Sequence, residues 1–146
     1  MRNARVLASF VAVAAVAGGC GSSDTGLTKA EFIKQATAIC AKSDKANNAA
    51  IHKALSRDPT PSEIAKVFND TALPLINAEL DELAALKPPK ADQDRVKQMI
   101  AELRGEAKTL AAKLEADPAK VLKSKVDPYK KSHADFQAYG LTRCGG

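Results

Sequence analysis

The sequence predicts an all-α protein, an up-down-up-down four-helix bundle closed by one disulfide. Ala, Lys and Leu dominate the composition, and these are good helix formers. No long run of β-branched residues offers a sheet. The T-x-x-E capping signature occurs twice, at Thr28–Glu31 and Thr60–Glu63. Joints at 58–60, 88–91 and 116–117 separate long stretches of helical apolar periodicity. Short joints between long helices make antiparallel neighbours.

The chain divides into a leading segment (1–19), a tether (20–27) and a helical domain (28–146). Arg2 and Arg5 precede an apolar run, Val6 to Ala17, and small residues close it at Gly18 and Gly19. This is the layout of a secretory signal peptide. The run is shorter than the roughly 20 apolar residues of a permanent span. Ala17-Gly18-Gly19-Cys20 resembles the lipobox of bacterial lipoproteins, although Leu is commoner where Ala17 stands. The resemblance implies a diacylglycerol on the Cys20 sulfur and cleavage before it. One acyl chain holds a protein to membrane only marginally, whereas two hold it stably. The expected location is therefore the outer face of the plasma membrane. Gly21 to Gly26 reads as a flexible polar tether.

With Cys20 committed to lipid, Cys40 and Cys144 remain. An exported protein meets oxidising conditions, so a disulfide is the natural reading, with free thiols as the alternative. No C-x-x-C occurs, and His52 and His133 are far from both cysteines in sequence, so no metal site is expected.

In the first helix the apolar stripe runs Phe32, Ala36, Ile39, Cys40, Ala50, Ala54, ending near Arg57. Leu27 and Phe32 are placed for a hydrophobic staple. The second helix starts at Thr60-Pro61. Its stripe changes phase between Ile64/Val67/Phe68 and Leu80/Leu83, which predicts a kink at Pro74. The third carries Val96, Met99, Ile100, Leu103, Ala107, Leu110 and Leu114. Asp117-Pro118 starts the fourth, which Asp127-Pro128 interrupts, leaving one helix or two over 118–139. Gly140 stops it.

The block LTKAEFIKQATAIC, the ending YGLTRCG and the lipobox together resemble small alanine-rich exported lipoproteins of actinobacteria. That resemblance covers the mature ends best. It implies a helical fold and a Cys40–Cys144 bond, and it supplies no catalytic residues.

No Ser-His-Asp signature, P-loop, HExxH or Gly-rich nucleotide loop is present, and no cofactor is expected. Met99 falls at core spacing. His52 falls opposite the apolar stripe, whereas His133 lies on the apolar side between Tyr129 and Phe136. Ser43 and Asn47 fall on the buried stripe, where polar groups need partners. Either they bond one another or a neighbouring helix, or with His133 they line a polar ligand cavity. Residues 29–57 and 118–146 each hold six Lys/Arg against two Asp/Glu, while 61–87 hold two against five. The basic segments suggest an edge facing anionic lipid, wall polymer or another envelope protein. Nucleic acid is not expected, because no interleaved aromatic platform accompanies the charge. The sequence thus reads as a non-enzymatic binding or structural module, or else as a small-ligand carrier.

Overall fold

The computed structural model describes residues 26–55 and 57–144. The leading segment, Cys20 and tether residues 20–25 lie outside the described residues, and so does their expected processing. Every regular element among the described residues is helical.

Helix α1 (Lys29–Ala54) begins at a complete capping box. The Glu31 N–H donates to Thr28 Oγ1, and the Thr28 N–H donates to Glu31 Oε2, 2.9 Å. Leu27 and Phe32 join the core on either side of that cap. Leu27 also donates its N–H to the Lys87 carbonyl at 2.7 Å. A Cβ at Gly26 would lie 2.1 Å from the Pro88 carbonyl oxygen, so only glycine fits there. Gly26 and Leu27, read from sequence as tether, thus already belong to the folded body.

Helix α2 (Pro61–Val67) repeats the capping box with Thr60 and Glu63. It continues without a break through a π-helical stretch, Phe68–Ala72, into α3 (Leu73–Ala85). The Leu73 N–H bonds the Phe68 carbonyl, five residues back. A π-turn takes one residue more than an α-turn, so the side-chain pattern slips in phase and a new face comes round. The phase change expected as a kink at Pro74 therefore falls just before the proline, and Ala72 and Leu73 keep helical torsions. Pro74 follows directly on the π stretch, so its missing N–H falls where the α-helical bonding pattern is already interrupted.

A short 3₁₀ turn (Lys90–Asp92) leads into α4 (Gln93–Ala116). Asp117 caps α5 (Pro118–Lys123), its Oδ1 accepting from the Lys120 N–H at 3.0 Å. Residues 124–129 are non-helical, so the stretch 118–139 is two helices, α5 and α6 (Lys130–Tyr139). Asp127 accounts for the break: its Oδ1 takes the Tyr129 N–H, a local turn that competes with helix. Gly140, at φ 107°, ends α6 in the left-handed conformation. The Leu141 N–H then returns to the Phe136 carbonyl, 2.9 Å.

Helix α3 packs against α1 and α4, and α6 packs on α4. The main core joins Phe32, Ala36 and Cys40 to Leu80, Leu83, Val96, Met99, Ile100, Phe136, Tyr139 and Leu141. All of these lie towards the end where α1 begins and α6 finishes. Towards the other end, where α2, α4 and α5 meet, the buried positions are mostly alanines: Ala65, Ala72, Ala107 and Ala111, with Leu114.

Candidate functional site

Three places bring polar or reactive groups together. The first is the disulfide. Cys40 projects from the buried stripe of α1, and the turn after Gly140 brings Cys144 back to it, with Sγ–Sγ 1.99 Å and Cα–Cα 5.2 Å. The Cα separation is ordinary for a disulfide. Glu79 of α3 stands beside it, its carboxylate and the two sulfurs all within 4.8 Å of one another. With both sulfurs joined covalently, this trio has no thiolate to offer a metal. Ser43, one turn beyond Cys40, faces the Glu79 carboxylate. Burial raises the Glu79 carboxyl above its ordinary pKa; the Ser43 hydroxyl opposes this, while Asp44 and Glu82 add to it. Both acidic neighbours are themselves engaged, Asp44 by Arg143 at 3.2 Å and Glu82 by Lys42 at 3.0 Å. Asn47, a further turn along α1, has a buried Oδ1 with no hydrogen-bond partner among the described residues.

The second place is the start of α6. His133 Nδ1 lies 3.4 Å from Asp127 Oδ2, and its ring meets Tyr129 at 5.5 Å between centroids. The buried Tyr129 hydroxyl has no hydrogen-bond partner among the described residues, and desolvation, with Glu106 and Asp127 nearby, pushes its pKa up to about 12. Ser132 is fully buried, and its hydroxyl bonds Glu106 of α4. No hydrogen bond, ion pair or ring contact among the described residues joins His133 to Ser43 or Asn47. The three candidate cavity residues therefore divide. Ser43 faces Glu79 of α3, Asn47 is left on α1, and His133 belongs to the α4–α6 side. None of the three lines the hollows between α2, α4 and α5, between α4 and α6, or between α3 and α4.

The third place is the end where Gly26 meets the α3–α4 joint. Tyr139 donates its hydroxyl to Asp92 Oδ2 at 2.9 Å. Lys29 Nζ lies 4.7 Å from the Tyr139 ring centre and the Arg95 guanidinium 5.3 Å, both in cation–π range. Desolvation and the Asp92 bond raise the Tyr139 pKa to about 12. Lys87 and Lys90 flank the same joint.

The basic segments are not one unbroken edge. Lys42 of α1 pairs with Glu82 of α3, and Arg104 of α4 pairs with Asp81 at 2.8 Å. Lys131 of α6 bonds both Glu102 and Asp135. The acidic helix lies between basic neighbours and engages part of their charge. Sequence reading missed Glu79: it lies three positions from Ile76 and one from Leu80, inside an apolar pattern, and that misfit was its signal.

No family model, no curated protein and no solved structure matches this chain. No described helix is long and apolar enough to cross a membrane.

Proposed function

We propose that this chain is a lipid-anchored lipoprotein of the actinobacterial type, held on the outer face of the plasma membrane. There it acts as a non-enzymatic binding or structural module of the cell envelope. Its helical body is taken as an up-down-up-down four-helix bundle. In it α2, the π stretch and α3 form one member, and α5 with α6 form the last.

The observation that carries the reading is where the chain joins its folded body. Gly26 and Leu27 are fixed against Lys87 and Pro88. Only the short Gly/Ser-rich stretch 21–25 then separates Cys20 from an end bearing Lys29, Lys87, Lys90 and Arg95. A tether of that length would hold this basic end near anionic headgroups, where each lysine or arginine adds about 1 kcal/mol. Wall polymer or another envelope protein would meet the remaining surface. The carrier reading, with a ligand between Ser43, Asn47 and His133, has less support, because Ser43 faces Glu79 while His133 meets Asp127 and Tyr129 on a different side of the body.

The test is Cys20→Ala followed by cell fractionation. The variant should leave the membrane fraction, and equal retention would defeat the anchor. The released protein should bind vesicles rich in anionic lipid at low ionic strength and detach as salt rises. Absence of binding at low salt would remove lipid from the partners and leave wall polymer.

A further inference from the structure

Away from the basic end, α2, α4 and α5 enclose a half-open groove of about 700 Å³. Its wall is apolar: Ile64 and Phe68 from α2, Leu110 and Leu114 from α4, Val121 and Leu122 from α5. The size falls within the roughly 300–1,000 Å³ of small-molecule sites. The rim also carries apolar side chains that elsewhere on this surface are turned inward: Val126 is 75% exposed and Leu122 44%. Large apolar side chains left open around a concave site mark a binding surface more often than a bare flank. The sequence accounts for the hollow. Apart from Leu114, the buried positions of α2 and α4 here are Ala65, Ala107 and Ala111, which fill less space than the Phe and Leu of the main core.

Two lysines complete the groove. Lys113 and Lys120 line it, and neither makes an ion pair among the described residues. The one lining carboxylate, Asp117, holds the Lys120 N–H as the cap of α5. Lys123 follows one turn on, beside Lys120. An apolar trough with unpaired cations at its mouth is complementary to a molecule with a long apolar tail and one negative head. The charge fixes the head group and the continuous aliphatic wall fixes the tail.

We propose that this groove binds a single-chain, long-chain carboxylate of the fatty-acid type. The tail lies along Ile64, Phe68, Leu110 and Leu114, and the carboxylate meets Lys113 and Lys120. This groove includes none of Ser43, Asn47 and His133, and it does not depend on the anchoring of Cys20.

The test uses the full chain carrying Cys20→Ala, with dansyl-labelled undecanoic acid as the fluorescent probe. Unlabelled straight-chain acids and alcohols of increasing length serve as competitors. One saturable site per chain is expected. Each added methylene should tighten binding about two- to four-fold until the groove is full. The acid should bind better than the alcohol of equal length. Lys113→Ala with Lys120→Ala should weaken the acid about three- to ten-fold and leave the alcohol unchanged. Val121→Trp, which fills the groove, should remove both; if circular dichroism shows that this variant has lost helix, the lysine pair decides alone. Four results would overturn the proposal: no saturable binding, acid and alcohol bound alike, probe binding indifferent to the lysine pair, or a self-association that buries Val126 and excludes the probe. Each is read in solution, so it is separate from any failure of membrane anchoring.

Discussion

Glu79 is the residue whose setting differs most from what its neighbours in sequence suggest. It lies against the disulfide, facing Ser43, Asp44 and Glu82. Its carboxyl is raised in the folded state, so the folded protein binds its proton more tightly than the unfolded chain does. The stability linked to that proton is complete below the unfolded pKa and is lost as pH rises through the folded one. At neutral pH the ionised group therefore weakens the fold. Glu79→Gln keeps an acceptor for Ser43 and removes the charge. It should raise the melting temperature by a few degrees near neutrality, and the two proteins should converge near pH 4. Melting curves across that range check this, and a gain that persists unchanged in acid would show that charge is not the cause. The approach of Ser43 to Glu79 could not be read from sequence. Ser43 sits on a recognisable stripe, but its partner comes from another helix, at a position set only by packing.

At the scale of elements, beginnings were more legible than interiors. Thr28, Thr60 and Asp117 each cap a helix as their sequences announce, because capping is local chemistry within four residues. Thr60→Ala would remove the hydroxyl half of the second box, the acceptor for the Glu63 N–H, and leave the Thr60 N–H on the Glu63 carboxylate. The measurable result is a fall of a few degrees in melting temperature, with amide exchange speeding up over α2 and leaving the start of α1 unchanged. If exchange rises equally at both boxes, the effect is global rather than a lost cap. The π stretch was not legible. The apolar pattern showed that the face must turn between Phe68 and Leu80, and Pro74 was the visible reason to place the turn there. The phase change occurs in Phe68–Ala72 instead, and Pro74 follows it without ending the helix. The break between α5 and α6 was left open by sequence, and the Asp127 turn settles it.

The whole molecule is tied most firmly at one end. The aromatic and leucine core, the Tyr139–Asp92 bond, the Leu27–Lys87 bond and the Cys40–Cys144 bridge lie in that half. The other half rests on alanines and holds the groove. The bridge joins residues 104 apart. In the chain-entropy view a loop of that length contributes roughly 4–5 kcal/mol, an upper figure and comparable with the net stability of an ordinary domain. Reduction should lower the melting temperature by ten degrees or so, while circular dichroism at low temperature stays helical, because α1, α3 and α4 keep their own contacts. Thiol titration before and after reduction checks that two sulfurs are released. Coincident melting curves would show that the bridge has no part in stability. The all-helical class and this cysteine pair were both legible, one from periodicity and the other from counting. The groove was not, since it arises from where three helices fail to fill space.

The distance between Cys40 and Cys144 also creates a race. A chain made from its N-terminus presents Cys20 and Cys40 together, long before Cys144 exists. On loop closure alone, joining cysteines 20 residues apart is easier than joining those 104 apart by about 1.5 kcal/mol. The wrong partner is thus both earlier and nearer. In the finished fold Cys40 is wholly buried and cannot be reached from the tether, but that protection comes only with folding. If the sulfur of Cys20 is capped by lipid at the membrane, the competitor is withdrawn before the race is run. The same acyl group that holds the protein in place would then also leave Cys40 with a single partner.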